Sequence, residues 1–344
     1  MCRPTQPFPS RVAALAIASS CLLAACTGPD DAGMALPAST AVPVTAAPAP
    51  PVDAVAPAPE AAPSPPAPAP AAAPSPPAPA PAAPLATPFP IAGIVVPLVD
   101  ESRPLVSYGW TVAESRPLTT LVWYPAVPGR WPLVVFAHGY AVGPDPYVSL
   151  CEAWAAAGYV VAAPRFPLTD AEVAGENLDE YDVDNQPADV AFVIDALEAA
   201  GGPVATIIDP TRVAVAGHSD GGLTALAVGA DPPDGLRAVI ALSTSPIGRP
   251  GENPPLLVVQ GDADDINGWE NGWAVFDGAA APKFLVTLVG AGHLPPFEEG
   301  SDWEAVVRTL TIDFLDLYVA GREGDLAALV DGGEAGLAEA YGIP

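Results

Sequence analysis

One serine stands between two glycines, at the point where a predicted strand meets a predicted helix. The segment Gly217-His-Ser-Asp-Gly221 has the pattern G-x-S-x-G. A run of small and β-branched apolar residues precedes it, and an Ala-rich segment follows it. Glycine on both sides permits a strained turn that exposes the serine hydroxyl at the end of the strand. We therefore predict that Ser219 is a nucleophile.

A serine nucleophile needs a base, and the chain has three histidines. His218 directly precedes the serine, and neighbouring side chains of an extended segment point to opposite faces, so we expect it to pack behind the turn. His138 lies upstream, after an earlier predicted strand. His293 lies in a Gly-rich loop after the last predicted strand. A strand–serine–helix turn of this kind is followed along the chain by its acid and then by its histidine, which predicts His293 as the base.

The acid that orients this histidine is expected after the predicted strand 256–259. Asp262, Asp264 and Asp265 all follow that strand. We predict Asp264, three residues beyond Gly261, and keep Asp262 and Asp265 as alternatives. A calcium site made from the three carboxylates is a further alternative. The prediction itself includes no metal and no cofactor.

The loop after the predicted strand 133–137 is expected to complete the site. The backbone N–H groups of Tyr140 and Asp220 are the predicted oxyanion hole. The ring of Tyr140 is either a wall of the substrate pocket or a cover for the core. Trp269, with Trp273 beside it, is either part of an ester-binding cleft or an anchor of a short helix.

Strands and helices alternate from residue 93 onward. This order predicts an α/β fold with a mainly parallel, twisted sheet and helices on both faces. The predicted strands are 93–98, 118–124, 133–137, 160–163, 213–216, 238–242, 256–259 and 284–289. The predicted helices are 146–157, 187–200, 221–230 and 302–319, with a further short helix within 322–344. Proteins of this kind commonly carry an inserted cap domain after the strand that corresponds to 238–242. Here only residues 243–254 separate this strand from the next one, so we predict no cap domain.

Taken together, these motifs resemble the dienelactone-hydrolase-like branch of the α/β-hydrolases, over residues 91 to about 320. The branch includes the chlorophyllase-like enzymes, the platelet-activating-factor-acetylhydrolase-like enzymes and the cutinase-like polyester hydrolases. The motifs that carry the resemblance are 132–139, 157–162, 185–189, 217–222, 261–264 and 290–293. It implies hydrolysis of carboxylic esters through an acyl-enzyme. Three departures leave the subfamily open: Asp220 stands where polyester hydrolases usually carry Met, Cys151 has no disulfide partner in the folded part, and dienelactone hydrolases use a Cys nucleophile.

The first 90 residues have a different composition. Arg3 and Arg11 precede an apolar stretch of 14 residues, 12–25, which is typical of a secretion signal and too short to span a bilayer. Leu23-Ala-Ala-Cys26 resembles the bacterial lipoprotein signal, which implies lipidation of Cys26. The alternative is ordinary cleavage and full secretion. Residues 26–90 are rich in Ala and Pro and predict a disordered tether, and 91–344 is the predicted catalytic domain.

The net charge of −28 lies almost entirely on the predicted catalytic domain. Such a surface repels phosphate backbones, which argues against a nucleic-acid partner. The expected partners are a small-molecule or polymeric ester and the cell membrane. The lipid anchor is expected to hold the protein at that membrane, outside the cytoplasm. Two alternatives remain: an amidase, peptidase or lactonase with the same triad, and a non-catalytic surface lipoprotein with a dormant hydrolase fold.

Overall fold

A computed structural model describes residues 88–199, 203–247, 254–324 and 338–343 of the chain. The predicted signal peptide (1–25), Cys26 and the tether up to residue 87 lie outside the described residues. None of the helices within the described ranges is long and apolar enough to cross a membrane. The fold below therefore concerns the predicted catalytic domain.

Nine of the described strands form one mixed sheet, in the order β1-β4-β6-β5-β7-β8-β9-β10-β11. Strands β5 to β10 pair in parallel, while β1, β4 and β11 run antiparallel to their neighbours. Strands β2 and β3 form a separate hairpin. The bounds are β1 Ile91–Asp100, β2 Leu105–Ser107, β3 Trp110–Ala113, β4 Arg116–Pro125, β5 Trp131–Ala137, β6 Val160–Pro164, β7 Ile208–His218, β8 Leu236–Leu242, β9 Leu256–Gly261, β10 Lys283–Leu288 and β11 Ala338–Ile343.

Helices cover both faces of this sheet. Helices α1 and α7 pack on one face, and α3, α5 and α6 pack on the other. The helices are α1 Val148–Ala156, α2 Ala171–Ala174, α3 Gln186–Ala199, α4 Pro203–Ile207, α5 Asp220–Ala230, α6 Trp269–Gly278 and α7 Glu304–Leu315. Short 3-10 segments occur at 145–147, 175–177, 180–185 and 295–297, and a π-helical turn at 316–320 continues α7.

The apolar runs of the central strands follow from this layering. A strand that is covered on both faces has no solvent side, so its residues need not alternate between apolar and polar. In β5 the buried residues are continuous from Pro132 to Ala137, and in β9 every residue is buried. Cys151, in α1, is also fully buried. The predicted α/β layering with a mainly parallel sheet is present.

The structure corrects the prediction at the carboxyl end of the chain. The sequence predicts a short helix within 322–344, and this is wrong for its last residues, because 338–343 forms the edge strand β11, antiparallel to β10. Without β11, one side of β10 would leave its backbone N–H and C=O groups unpaired, and pairing them outweighs a local helix preference. Residues 325–337 lie outside the described residues.

Candidate active site

The turn between β7 and α5 holds Ser219 in a strained conformation. Its φ is 56°, in the left-handed region that a non-glycine residue rarely adopts. Both glycines of the pattern are required by close contacts of the backbone. A Cβ on Gly217 would lie 2.0 Å from the carbonyl oxygen of Gly221, and a Cβ on Gly221 would lie 2.1 Å from that of Ala137. The small residues thus let α5 start immediately against the sheet, with the serine at its tip.

His293 and Asp264 are brought together by the loops after β10 and β9. The Nδ1 atom of His293 lies 2.9 Å from Oδ2 of Asp264. The other carboxylate oxygen, Oδ1, accepts the backbone N–H groups of Ile266 at 3.0 Å and Asn267 at 2.8 Å. Burial raises the pKa of Asp264, but the hydrogen bonds from His293 and from these two amides outweigh it, and the net pKa lies below its ordinary value. Asp264 is therefore an anionic acceptor that fixes the N–H of His293 on Nδ1.

The other two aspartates of this loop have different surroundings. Asp262 accepts the backbone N–H of Gly290 at 2.6 Å through Oδ1, and so ties the two loops together. Asp265 lines the rim of a cavity. In the described parts of the chain, no group of three or more His, Cys, Asp or Glu side chains is arranged to hold a metal ion.

Ser219 and His293 line the same cavity of about 450 Å³. Its other lining residues come from the loop after β5, from the end of β7 and from the loops after β9 and β10: Gly139, Tyr140, Val142, His218, Asp265, Ile266, Gly292, Leu294 and Pro295. Among the described residues, the Ser219 hydroxyl has no hydrogen bond to the imidazole. The loops after β9 and β10 and the β7–α5 turn thus place the two side chains in one cavity.

His218 has a larger role than packing behind the turn. One ring nitrogen, Nε2, lies 3.0 Å from the carbonyl oxygen of His293, and the other, Nδ1, lies 2.8 Å from the hydroxyl of Tyr147. A carbonyl oxygen only accepts, so Nε2 carries the proton and Nδ1 accepts from the tyrosine. Burial, and then the neighbouring His293, lower the pKa of His218 to about 3, which keeps it neutral. Sequence reasoning missed this contact because it joins residues that are 75 positions apart.

The backbone N–H groups of Tyr140 and Asp220 are the two predicted oxyanion-hole donors. Neither the amide of Tyr140 nor that of Asp220 has a hydrogen-bond acceptor within the described ranges. The tight turn after Gly139, with Ala141 at φ 60°, orients the first amide. Asp220 is the first residue of α5, where a helix leaves its N–H groups without partners. Asp220 directly follows Ser219, and Tyr140 lines the same cavity as Ser219.

His138 stabilises the loop after β5 that carries Tyr140. Its Nδ1 lies 2.9 Å from the carbonyl oxygen of Gly139, and its Nε2 accepts the backbone N–H of Phe166 at 3.0 Å. Burial lowers the pKa of His138 to about 4, so the ring is neutral and its proton stays on Nδ1. The ring therefore holds the residue immediately before Tyr140 in place.

The two aromatic pocket candidates lie in different surroundings. Tyr140 lines the cavity. Trp269 is not among the lining residues: it begins α6, stacks on Trp273 with ring centroids 5.6 Å apart, and donates its indole N–H to the hydroxyl of Thr287 at 2.7 Å. Its position matches the alternative that the sequence left open, an anchor of a short helix.

A mostly parallel sheet covered by helices on both faces, with a strained serine turn after a central strand, is compatible with the α/β-hydrolase fold. The family model described as Chlorophyllase matches residues 106–242. The match supports a chlorophyllase- or cutinase-like α/β-hydrolase that acts on ester bonds. It includes Tyr140, Ser219 and Asp220, whereas Asp264 and His293 lie beyond it. A comparison with curated proteins finds no match.

Proposed function

We propose that this protein is a serine hydrolase that cleaves carboxylic esters through an acyl-enzyme. Ser219 is the nucleophile, His293 the general base and Asp264 the residue that orients the base. The observation that carries the proposal is the hydrogen bond between His293 and Asp264, at a cavity that the strained Ser219 also lines.

The tautomer of His293 determines the direction of proton transfer. Because the Asp264 carboxylate accepts the Nδ1 proton, Nε2 is the free acceptor for the proton of Ser219. The serine oxygen attacks the ester carbonyl carbon as this proton leaves. The negative oxygen of the tetrahedral intermediate then accepts the N–H groups of Tyr140 and Asp220. His293 returns the proton to the departing alcohol, which leaves the acyl group on Ser219. Water then attacks this acyl group while His293 takes a proton from the water, and His293 returns the proton to Ser219 as the acid departs.

The same proposal includes the location of the enzyme. A lipid on Cys26 anchors the chain outside the cytoplasm, and the Ala/Pro-rich residues up to 90 separate the enzyme from the membrane. Pro-rich chains favour the extended polyproline II conformation, at about 3.1 Å per residue, so this spacer reaches on the order of 100 Å or more. An anchored enzyme of this kind meets bulky or polymeric esters outside the cell.

The proposed nucleophile is tested by removing the hydroxyl oxygen of Ser219. We expect a fluorophosphonate probe to label the wild-type chain at Ser219, and Ser219→Ala to abolish both labelling and hydrolysis of p-nitrophenyl acetate with an unchanged circular dichroism spectrum. Ser301→Ala, in the loop before α7, is the matched control and should keep both probe labelling and hydrolysis. Undiminished hydrolysis by Ser219→Ala, or a well-folded wild-type chain that the probe does not label, would contradict the proposed mechanism.

A further inference from the structure

The β2–β3 hairpin presents aromatic side chains to solvent. Tyr108 at its turn is 61% exposed, Trp110 is 78% exposed, and Tyr181, from the 180–185 helix, is 66% exposed. The rings of Tyr108 and Tyr181 contact each other edge to face, with centroids 6.2 Å apart. Single exposed apolar residues are ordinary, but a cluster of large rings on a soluble surface indicates a binding site. Trp110 begins β3 directly after the Tyr108 turn, and we call the three exposed side chains the aromatic wall.

The wall is held in a fixed position. The turn residues Tyr108 and Gly109 both have positive φ, 46° and 84°, as in a two-residue hairpin turn of type I′. The backbone N–H of Tyr108 donates to Oδ2 of Asp179 at 2.8 Å, and the Tyr108 hydroxyl reaches the carbonyl oxygen of Leu178 at 3.4 Å. A left-handed tyrosine is costly, so these contacts must maintain a conformation that aims its ring outward.

Backbone hydrogen bonds place the wall beside the cavity. The N–H of Asp179, which anchors the hairpin, donates to the carbonyl oxygen of Leu168 at 2.8 Å. The N–H of Ala141, next to Tyr140, donates to the carbonyl oxygen of the adjacent Thr169, also at 2.8 Å. The hairpin anchor and the Tyr140 loop therefore rest side by side on two consecutive residues.

A second set of contacts joins the wall to the serine helix. The 180–185 helix, which carries Tyr181, leads directly into α3 at Gln186. The side-chain carbonyl of Gln186 accepts the hydroxyl of Thr224 in α5 at 2.6 Å, and its amide donates to the hydroxyl of Thr169 at 2.8 Å. These contacts connect the segment that carries Tyr181 to α5 and to the Thr169 region that also holds the Tyr140 loop.

Carboxylates lie close to the wall: Asp179 accepts the backbone N–H of Tyr108, and Glu180 precedes Tyr181 in the chain. Burial, and then Glu180, raise the pKa of Asp220, which shows that this carboxylate already lies in a negative field. The same field acts on Tyr140: after burial, Tyr108, Glu180, Asp179 and Asp220 each raise its pKa. An anionic group of a substrate would meet this repulsion, whereas an uncharged ring would bury apolar surface against the exposed rings.

We propose that Tyr108, Trp110 and Tyr181 bind the part of an uncharged ester that extends beyond the cavity, and that they favour a flat aromatic group there. The inference rests on the proposed esterase function and specifies its substrate. Aromatic pairs prefer offset or edge-to-face contact, and the Tyr108–Tyr181 pair leaves ring faces and edges free for a further ring.

Three substitutions remove the rings while keeping the backbone conformation. Tyr108→Asn suits the left-handed turn, because Asn tolerates positive φ better than most residues. Trp110→Thr retains a β-branched residue in β3. Tyr181→Ser retains the backbone N–H that donates to Asp179 at 3.0 Å. Tyr341→Thr, which removes a 44% exposed tyrosine from the edge strand β11, is the matched control.

The test compares kcat/KM for a small ester and for two extended ones. The small ester is p-nitrophenyl acetate. The extended ester p-nitrophenyl 5-phenylvalerate carries a phenyl ring on its acyl side. The extended ester 5-phenylpentyl acetate carries a phenyl ring on its alcohol side. We expect the triple variant to lower the ratio of extended to small ester about tenfold for at least one of the two, the order that two or three ring contacts give. Tyr341→Thr should leave both ratios within twofold.

Unchanged ratios in a folded triple variant would overturn the inference, whether or not activity on the small ester also falls. A loss of binding to phosphatidylcholine vesicles with unchanged ratios would also overturn it and make the wall a lipid contact. Single variants give the same comparison if the triple variant does not fold. Failure of the proposed function is a separate result, because the wild-type chain would then not hydrolyse the small ester.

Discussion

His218 connects the core of the protein to the loop that carries His293. Its proton is on Nε2, because the carbonyl oxygen of His293 beside that atom can only accept, and Nδ1 accepts the hydroxyl of Tyr147. The two imidazole rings also contact each other, with centroids 4.6 Å apart. Since Asp264 fixes the other side of His293, the proposed base is held both at its ring and at its backbone. We therefore propose that His218 is a positioning residue that acts through His293.

Substitution at this position separates a positioning role from a structural one. We expect His218→Leu to lower kcat for p-nitrophenyl acetate roughly tenfold or more, because the carbonyl oxygen of His293 loses its donor, while KM changes less than threefold. His218→Gln offers an amide N–H at similar reach and should recover most of kcat. Equal losses in the two variants, measured by steady-state kinetics, would leave only a packing role for His218.

Arg116 ties the elements around the wall to the main sheet. This arginine, at the start of β4, is 2% exposed and donates to both oxygens of Asp182 and to both oxygens of Asp189. Asp182 belongs to the 180–185 helix, and Asp189 lies in the first turn of α3. Burial raises the pKa of Asp182, although the arginine opposes the shift. One side chain thus sets the position of the segment that carries Tyr181.

Removal of this arginine leaves two buried carboxylates without their main partner. We expect Arg116→Ala to lower the free energy of unfolding by about 3–5 kcal/mol, measured by urea denaturation. Arg308→Ala, which breaks the half-exposed pair with Glu304 on α7, is the comparison and should cost about 1 kcal/mol or less. Similar losses in the two variants would show that burial does not distinguish these ion pairs.

The whole protein has an acidic surface and two buried neutral histidines beneath it. His138 and His218 have pKa values of about 4 and about 3, both lowered by burial. The unfolded chain binds protons at these positions below pH 6.5, whereas the folded chain does not until the pH reaches the lowered values. Stability from this source is therefore complete above pH 6.5 and is lost as the pH falls toward 3.

This linkage predicts a pH dependence of stability. Between pH 7 and pH 5, we expect each buried histidine to lower the free energy of unfolding by about 2 kcal/mol. His218→Gln removes one of the two titrating groups, so its loss over the same interval should be smaller by that amount. Urea denaturation of both proteins at pH 5, 6 and 7 measures the difference. Parallel curves for wild type and variant would contradict a neutral buried His218.

The proposed anchor is tested on the full chain. We expect Cys26→Ser to move the protein from the membrane fraction to the soluble fraction of the expressing cells and to prevent incorporation of labelled fatty acid. Cys21→Ser, which removes another cysteine of the leader, should leave both unchanged. Membrane retention of Cys26→Ser would contradict lipidation at this residue.

Local sequence was enough for the features that depend on neighbouring residues. The serine turn is encoded by Gly217 and Gly221, because only a residue without a Cβ fits those backbone contacts. The central strands are encoded by continuous apolar runs, since burial on both faces imposes one composition along the strand. The β2–β3 hairpin was not predicted, because its turn is Tyr-Gly rather than the commoner Asn-Gly or Asp-Gly.

Contacts between distant segments were decided by packing. The sequence could rank Asp262, Asp264 and Asp265 but not choose among them by chemistry, because all three are equivalent carboxylates within four residues. The paths of the loops after β9 and β10 bring Asp264 to His293 and Asp262 to the amide of Gly290. For the same reason, the contact of His218 with the His293 loop and the pairing of 338–343 with β10 appear only when the whole chain is folded.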